Sequence, residues 1–279
     1  MDAEDVILYD LLFCIQRGQS TGPEYMIMEV LVVNSQYICG LRLKEPIDPD
    51  SYLAKLPAVK HLAGDGIQLD HPVTIFVGEN GTGKSTLLEA VAVAYGFNAE
   101  GGTKNFNFST NATHSELHRH LTLSRRAFAK DGFFLRAESL YNVATNIDEM
   151  DAQPSFGAPI IASYGGVSLH EQSHGESFLA IVQNRFLGNG LYILDEPEAA
   201  LSPMRILTLM AEIDRLVKAN SQFIIATHSP MLMALPGTQV LELSEDGIRP
   251  VHYSDTEHFR TTKYFLNNPE RILHDLLGE

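Results

Sequence analysis

The stretch VTIFVGENGTGKST, residues 73–86, constrains the fold of this chain more than any other part of its sequence. It begins as a short apolar run typical of a buried strand, continues as a glycine-rich turn and opens an apolar helix. The turn and the helix start consist of Gly78, Glu79, Asn80, Gly81, Thr82, Gly83, Lys84, Ser85 and Thr86. They match the phosphate-binding P-loop pattern, G-x-x-x-x-G-K-[ST]. Ordinary turn glycines are the alternative, but the strand, the Lys-Ser pair and the helix around them favour the P-loop.

The residue types of this loop suit the phosphates of a nucleotide. Glycines let the backbone turn sharply and bring its N–H groups close to phosphate oxygens. The first turn of the following helix adds unpaired N–H donors and the positive end of the helix dipole. Lys84 can then reach the β and γ phosphates, and the Ser85 hydroxyl can ligate Mg²⁺. We therefore expect residues 78–86 to bind a nucleotide together with a magnesium ion.

The composition indicates a globular protein and limits its partners. The 279 residues suffice for one large α/β domain or two modest ones. The formal charge of −15 argues against a large non-specific DNA-binding surface, because phosphate contacts need clustered cations. Residues 119–130, with Arg125 and Arg126, are the best candidate for a local basic patch, although a solvated helix face is the favoured interpretation.

The cysteines do not indicate a disulfide-bonded protein, and the apolar runs do not indicate a membrane-spanning one. Cys14 and Cys39 are the only two cysteines, and they predict no disulfide framework and no zinc site. The early apolar run at residues 6–15 is too short to span a bilayer and follows acidic residues, unlike a signal peptide. We expect a cytoplasmic protein with reduced cysteines and no direct membrane insertion.

Strand and helix patterns alternate along the chain, which predicts an α/β fold with a parallel sheet. The predicted strands are residues 25–33, 37–43, 73–77, 133–137, 191–194 and 223–226, with a hairpin at 240–253. The predicted helices are residues 84–95, 138–153, 175–187 and 204–218. Residues 6–16 fit either a helix or a strand, 44–56 are mostly loop, and 98–113 fit a flexible surface loop.

A second motif, LYILDEPE at residues 191–198, places two carboxylates at the end of a predicted buried strand. Ligands of open α/β sheets bind at this carboxyl edge. There Asp195 can hold the magnesium shell, and Glu196 can accept a proton from the attacking water or polarise it. Strands often end in polar residues, so the pair indicates a site only because it follows a P-loop.

Two further segments carry polar groups that could contact a phosphate. Ser173, Gly175 and Glu176 precede a predicted helix, whose free N–H groups and neighbouring hydroxyl can bind an anion. An ordinary capping box explains the same residues and is the favoured interpretation of that segment taken alone. His228 follows a predicted strand and can hydrogen-bond a γ phosphate or a water, although a lone histidine is usually structural.

In this order, the P-loop, the serine-glycine segment, the Asp-Glu pair and the strand-end histidine resemble the ATP-binding cassette (ABC) ATPase family. Within it, the chain resembles small stand-alone bacterial ATPases and the RecF-like and SMC-like heads, from about residue 37 onward. The resemblance implies a P-loop NTPase of ABC-ATPase type, with a mostly parallel central sheet, flanking helices, an antiparallel β subdomain and a small helical insertion. Residues 36–279 would form this single domain, with the helical and signature insertion at about 98–190, after a segment 1–35 of unknown role.

The resemblance also implies hydrolysis, with ATP and Mg²⁺ as cofactors. Glu196 resembles the catalytic base of the family, His228 the switch histidine and Lys84 the phosphate-binding lysine. No glutamine stands clearly where the family's Q-loop would place one, and Glu138 is the nearest candidate. The resemblance therefore does not identify the residue that couples the magnesium site to the rest of the protein.

A second set of residues resembles the part of the family's site that a partner subunit contributes. Ser173, Gly175 and Glu176 resemble the signature that closes over the ATP of a second subunit, although His174 stands where the family commonly has glycine. Residues 199–202 resemble the D-loop that crosses this interface. The active unit would then be an ATP-dependent homodimer, with two nucleotides between head-to-tail chains.

The predicted function is Mg-dependent ATP binding and hydrolysis, with closure that acts on an unidentified protein or nucleic-acid partner. One alternative is the nucleotide-binding subunit of a membrane transporter. Another is a DNA-associated RecF-like or SMC-like ATPase in repair or defence, although the roughly ninety residues between Lys84 and Ser173 show no sustained heptads for an SMC coiled coil. A scaffold that binds nucleotide without hydrolysing it is disfavoured. The residues expected to act in hydrolysis are all present: Lys84, Asp195, Glu196 and His228.

Overall fold

A computed structural model describes residues 36–64, 66–104, 115–153 and 157–278, all within the compact unit Val32–Glu279. Several sequence-based predictions fall outside these residues. They are the segment 1–35, including its predicted elements at 6–16 and 25–33 and Cys14, and residues 105–113 of the predicted surface loop.

Two sheets organise the described part of the chain. Its strands are β1 (Ile38–Leu43), β2 (Ile67–Gln68), β3 (Val73–Gly78), β4 (Leu121–Arg125), β5 (Asp131–Arg136), β6 (Gly190–Asp195), β7 (Gln222–Ala226), β8 (Thr238–Ser244) and β9 (Gly247–Pro250). The six-stranded main sheet has the order β5-β6-β7-β3-β8-β9 and is parallel except for the β8–β9 pair. Strands β2, β1 and β4 form a small antiparallel sheet. The predicted α/β fold, with its mostly parallel sheet and antiparallel subdomain, is confirmed.

Helices flank the main sheet. They are α1 (Pro57–Leu62), α2 (Lys84–Tyr95), α3 (Leu117–His120), α4 (Leu140–Asp151), α5 (His174–Arg185), α6 (Pro203–Lys218), α7 (Pro230–Met233), α8 (Glu257–Asn267) and α9 (Pro269–Leu277). Short 3₁₀ helices lie at Tyr52–Lys55, Ile160–Tyr164, Leu169–Glu171, Pro197–Ala200 and Tyr253–Asp255. The four predicted helices correspond to α2, α4, α5 and α6. None of the described helices is both long enough and apolar enough to span a membrane.

The main sheet separates two apolar cores. On β6, Tyr192 and Leu194 belong to one core, whereas Leu191 and Ile193 belong to the other. A parallel strand that is covered on both faces is apolar throughout, which is why short continuous apolar runs predicted these strands. Helices α4, α5 and α6 contribute to the first core, and α1 and α2 to the second. The P-loop helix α2 and the helix α5 that follows Ser173 therefore lie on opposite faces of the sheet.

Residues 119–130 do not form the solvated helix face that the charge pattern favoured. Residues 121–125 are strand β4, which pairs with β1 in the antiparallel sheet. Leu121 is buried there, so tertiary pairing outweighs the local pattern of charged residues. Arg125 lies 4.9 Å from the centre of the Tyr95 ring and donates to the Ala94 carbonyl. One cation of the proposed basic patch is thus engaged in a cation–π contact on the protein itself.

The helices α8 and α9 were not predicted. Within residues 257–277, all of which are described, no side chain is buried. Six large apolar side chains of this pair are exposed: Tyr264, Phe265, Leu266, Leu273, Leu276 and Leu277. Thr256, directly before α8, is by contrast fully buried. The amino-terminal end of α8 is therefore the part that is anchored to the sheet domain.

A buried glutamine connects the two sheets. Gln222, the first residue of β7, has no solvent exposure. Its Oε1 accepts hydrogen bonds from the backbone N–H groups of Tyr37 and Ile38, at 2.7 and 2.9 Å. Its Nε2 donates to the Ile38 carbonyl at 2.7 Å. The side chain thus satisfies three backbone groups that would otherwise be unpaired where β1 begins.

We predict that Gln222→Leu lowers the free energy of unfolding by about 3 kcal/mol, because buried polar groups left unpaired cost roughly 1–3 kcal/mol each. Urea denaturation followed by circular dichroism measures this change. Gln68→Leu, at an exposed position on β2, is the matched control and should change the free energy by less than about 0.5 kcal/mol. Equal effects of the two substitutions would contradict the proposed connection.

Candidate nucleotide-binding site

The P-loop joins β3 to α2 at the carboxyl edge of the main sheet. Gly78 has a φ of 143°, and a Cβ there would lie 2.3 Å from the carbonyl oxygen of Leu243. Gly83, directly before α2, has a φ of 96°. Glycine is required at both positions, because side chains disfavour such φ angles and Gly78 also has no space for one. The exposed tip of the loop consists of Glu79, Asn80 and Gly81.

Lys84 points into the loop that precedes it. Its Nζ donates to the carbonyl oxygens of Gly78 and Glu79, at 2.7 and 2.9 Å, and the residue is buried. Burial lowers the pKa of Lys84, and the carboxylates of Glu196, Asp195 and Glu198 oppose this change. A buried ammonium group that donates to neutral carbonyls is well placed to exchange them for phosphate oxygens.

Asp195 ends β6 beside the P-loop helix. It is buried, and the guanidinium Nε of Arg136 lies 3.3 Å from its Oδ2. Burial raises the pKa of Asp195 from its ordinary value of 3.8 to about 6, while Arg136 and the hydroxyl of Ser85 oppose the rise. No group in the described part of the chain donates to its buried Oδ1 with good hydrogen-bond geometry. The carboxylate therefore has an unused acceptor in the interior, next to Ser85.

These two side chains fit a magnesium ion. Mg²⁺ prefers oxygen ligands and takes few of them from the protein when phosphates and water supply the others. Ser85 and Asp195 offer a hydroxyl and a carboxylate with an unused oxygen. Among the residues that the structure describes, no cluster of three or more His, Cys, Asp and Glu side chains could hold a metal by itself. A magnesium site here would need the nucleotide to complete it.

Glu196 follows Asp195 with an unusual backbone. Its φ and ψ of 48° and 53° lie in the left-handed region, which non-glycine residues rarely adopt. Its N–H donates to the Ala226 carbonyl of β7 at 2.9 Å. Its Oε1 lies 3.7 Å from Nε2 of His228. Strained backbone of this kind is typical of functional positions, and here it turns the glutamate toward the histidine.

Glu198 contacts the segment that carries His228, and the sequence did not single it out. It accepts hydrogen bonds from the Thr227 hydroxyl, at 2.7 Å, and from the backbone N–H of His228. The 3₁₀ turn Pro197–Ala200 brings it back across the end of β7. Pro197 after two acids is a signal for such a turn, but nothing in the sequence indicates which loop the glutamate would contact. Glu198 therefore fixes the segment that carries His228.

His228 lies between Glu196 and a second histidine. Its Nδ1 is 2.8 Å from Nε2 of His258 on α8, whereas its own Nε2 is buried without a hydrogen-bond partner among the described residues. Burial lowers the pKa of His228, the charges of Lys84 and His258 lower it further, and Glu196 opposes them. The ring is therefore neutral near pH 7. His258 was missed because no motif marks it and α8 itself was not predicted.

The serine-glycine segment forms a separate group at the start of α5. The N–H of Ser173 donates to Glu176 at 2.9 Å, as in a capping box, and its Oγ donates to the same carboxylate at 2.6 Å. Arg205 of α6 donates to Ser173 and to Glu176, and all these bonds lower the pKa of Glu176. A Cβ on Gly175 would lie 2.8 Å from the Ala200 carbonyl oxygen. Within the described ranges, no hydrogen bond or ion pair joins this group to the P-loop.

The segments expected to act as the Q-loop and the D-loop flank Asp195 and the Ser173 group. Glu138 is largely exposed, lies 3.8 Å from Arg136 and contributes to the raised pKa of Asp195. Residues 199–202 link the 3₁₀ turn after Glu196 to α6, which carries Arg205. Glu138 thus lies near Asp195, and residues 199–202 lie between Glu196 and α6 in the chain.

Comparisons with known protein families and curated proteins identify relatives. A family model described as "AAA domain" matches residues 60–134, and one described as "AAA domain, putative AbiEii toxin, Type IV TA system" matches residues 163–234. The chain is 27% identical over 171 residues to the ribose import ATP-binding protein RbsA from each of two strains of Bacillus cereus. These matches cover 56% of this chain but only 34% of each relative, so the chain spans about a third of their length.

Solved structures with similar folds include transporter subunits and an SMC head. A putative metal-chelate type ABC transporter in an inward-facing conformation aligns with a TM-score of 0.46 and 15% identity over 82% of this chain and 89% of its own. CbiO1 of Clostridium perfringens, part of the ABC transporter complex cbiONQ, aligns with 0.48 and 17% over 86% and 99%. The SMC head domain from Thermotoga maritima aligns with 0.42 and 14% over 77% and 99%.

We predict that Asp195→Asn stabilises the nucleotide-free protein at pH 8, by up to about 3 kcal/mol at 1.36 kcal/mol per pKa unit. The pKa of Asp195 is raised in the folded state, so its favourable contribution is present below pH 4 and is lost as the pH rises through 6. Thermal unfolding in EDTA at pH 4 to 8 should show the difference between variant and wild type shrinking toward pH 4. A difference that does not depend on pH would contradict the raised pKa.

The predicted motifs fall within the regions that the two family models match. The first family model spans the P-loop, and the second spans the Ser173 segment, the Asp195–Glu196 pair and His228. The geometry brings Lys84, Asp195, Glu196 and His228 to one edge of the main sheet. The motifs and these partial matches support the resemblance of the chain to ABC-type P-loop ATPases.

Proposed function

We propose that this chain binds ATP with Mg²⁺ and hydrolyses it as an ATP-dependent homodimer, whose closure acts on an unidentified protein or nucleic-acid partner. The observation that carries the proposal is a group of four side chains at the carboxyl edge of β3, β6 and β7. They are Lys84, Asp195, Glu196 and His228. Each has a separate task in phosphoryl transfer, and nucleotide binding alone would not need all of them.

The P-loop half of the site binds the phosphates. Backbone N–H groups of residues 78–86 surround them, and Lys84 exchanges the carbonyls of Gly78 and Glu79 for phosphate oxygens. Ser85 and Asp195 would hold Mg²⁺, which would supply positive charge to offset the charge that develops on the phosphates. The unused Oδ1 of Asp195 supports this assignment.

Glu196 and His228 act on the attacking water and the γ-phosphate. Glu196 accepts the proton of the water, and its left-handed backbone directs the side chain to the position next to His228. His228 donates a hydrogen bond to the γ-phosphate through Nε2, the nitrogen that has no partner among the described residues. Glu198 contributes by holding the backbone of the histidine loop.

We assign the signature role to Ser173, Gly175 and Glu176, acting on the ATP of the second chain. The separation of this group from the P-loop of its own chain supports the assignment. Helices α2 and α5 contribute to opposite cores of the sheet, which also supports a signature that acts on another chain. Residues 199–202 would cross the interface as the D-loop, with two nucleotides between head-to-tail chains.

In this proposal residues 36–279 act as a single ATPase domain with the signature insertion at about 98–190, and 1–35 is a segment of unknown role. We place the protein in the cytoplasm, where ATP is available. Cys39 is a free thiol in the described part of the chain and donates to the Ser124 carbonyl, which suits a reducing compartment.

A second candidate function is the nucleotide-binding subunit of a membrane transporter. The 27% identity to ribose import ATP-binding proteins favours it. Such a subunit needs a surface for its membrane partner, often around the Q-loop glutamine, where this chain has Glu138. Recovery of a membrane permease with the chain would support this function. ATP-dependent, salt-sensitive DNA binding would instead support a RecF-like or SMC-like role in repair or defence.

We predict that Glu196→Gln binds ATP with unchanged affinity but hydrolyses it at least about 100-fold more slowly, because a missing general base costs roughly 10²–10⁴ in rate. Nucleotide titration and phosphate release measure the two effects. Gel filtration with Mg-ATP should show this variant as a dimer. Glu149→Gln, at an exposed position of α4, is the matched control and should hydrolyse ATP at the wild-type rate. Normal hydrolysis by Glu196→Gln would exclude Glu196 as the base.

We also predict that two inactive variants restore activity when they are mixed. Lys84→Ala lacks phosphate binding in its own P-loop, and Ser173→Arg blocks the signature that it presents to a partner. A head-to-tail heterodimer of the two has one site with an intact P-loop and an intact signature. An equimolar mixture should therefore show ATPase activity of about a quarter of wild type, assuming random pairing. A mixture as inactive as its components would contradict the shared site.

A further inference from the structure

His258 contacts the switch histidine although it lies outside every recognised motif. Its Nε2 is 2.8 Å from Nδ1 of His228, and the two ring centres are 4.9 Å apart. Both rings are partly buried, so the hydrogen bond between them is shielded from competing water. The pair therefore forms a defined contact between α8 and the nucleotide site.

The start of α8 fixes the position of His258. Thr256, fully buried before the helix, donates to the Tyr253 carbonyl and accepts from the N–H of Phe259. A cavity of about 320 Å³ beside the P-loop has both Gly78 and His258 in its lining. His258 thus lies at the edge of the nucleotide site on an anchored helical turn.

The bond between the rings decides which nitrogen of His228 carries hydrogen. A neutral imidazole has one N–H donor and one acceptor nitrogen. Nε2 of His228 has no hydrogen-bond partner among the described residues and lies 3.7 Å from the Glu196 carboxylate, which only accepts hydrogen bonds when ionised. Phosphate oxygens are acceptors as well. Because the groups on this side are acceptors, Nε2 of His228 should carry the hydrogen. Nδ1 of His228 must then accept a hydrogen bond from Nε2–H of His258.

We propose that His258 is a positioning residue, which donates to Nδ1 of His228 and thereby holds the switch histidine as the Nε2–H tautomer. This tautomer presents its N–H to the γ-phosphate. The catalytic consequence rests on the proposed ATP hydrolysis, whereas the tautomer is a property of the nucleotide-free protein. A backbone carbonyl or a carboxylate commonly orients a functional histidine by accepting from it. Here a second imidazole does so by donating.

Two substitutions separate the hydrogen bond from the bulk of the side chain. Gln in place of His258 retains an N–H donor near the position of Nε2, and Leu retains volume without a donor. Long-range ¹H–¹⁵N spectra of the nucleotide-free protein report the tautomer of His228, whose signals are assigned by their loss in His228→Gln. Wild type and His258→Gln should show hydrogen on Nε2, and His258→Leu should lose this preference. An unchanged tautomer in His258→Leu would overturn the proposal.

Kinetics test the consequence for hydrolysis. His258→Leu should lower kcat about 5- to 20-fold and change KM for ATP less than about twofold, since the lost hydrogen bond acts after binding. His258→Gln should regain most of the activity. In a His228→Ala background, His258→Leu should have no further effect. His274→Leu, at an exposed position of α9, is the control and should have wild-type kcat.

The two readouts distinguish failure of this proposal from failure of ATP hydrolysis. If wild type does not hydrolyse ATP, the proposed function fails, and the spectra still decide the tautomer. Equal losses of kcat in His258→Gln and His258→Leu, or an effect of His258→Leu that persists without His228, would show that His258 acts only through packing. Either result would overturn the positioning role.

Discussion

The site depends on a small group of buried charges at the carboxyl edge of a parallel sheet. Lys84 and Asp195 are each about 5% exposed, and Arg136 connects Asp195 to Glu89 through contacts of 3.3 and 3.0 Å. Charges persist in such a place only where opposite charges and hydrogen bonds offset their desolvation. Among the described residues, none forms a hydrogen bond with Oδ1 of Asp195 or Nε2 of His228. In the proposed site, a magnesium ion would interact with Oδ1 of Asp195, and a phosphate oxygen would interact with Nε2 of His228.

Apolar packing on both faces of the main sheet supports this edge. Apolar side chains of β3, β6 and β7 alternate between two cores, so each strand is fixed by packing on both faces. The same arrangement assigns α2 to one core and α5 to the other. The proposed composite site is compatible with this arrangement, because α5 packs on the face of the sheet opposite to α2.

Much of the fold could be predicted from the sequence because its parallel strands are short, continuous apolar runs. Strands β6 and β7 were recognised from such runs, and the hairpin β8–β9 was predicted at 240–253. The P-loop was recognised because its glycines, lysine and serine are each required by the phosphates. The strand β4 was not, since its pairing with β1 is a tertiary contact between segments far apart in the chain.

Lys84, Asp195, Glu196 and His228 lie at one edge of the main sheet, but two residues that contact His228 were not predictable. Glu198 and His258 reach His228 across 30 residues on either side, and no local pattern reports such a contact. Helix α8 is amphipathic although none of its side chains is buried, so a periodic pattern was present there and no helix was assigned to it. Only the assembled structure brings these groups to the histidine.

The most direct test of the composite site is a structure of Glu196→Gln with ATP and Mg²⁺ bound. Our account predicts two chains related head to tail, with the Ser173 hydroxyl of one chain within hydrogen-bonding distance of the γ-phosphate that Lys84 of the other chain holds. An ATP-bound monomer, or a dimer in which Ser173 lies far from both nucleotides, would contradict it.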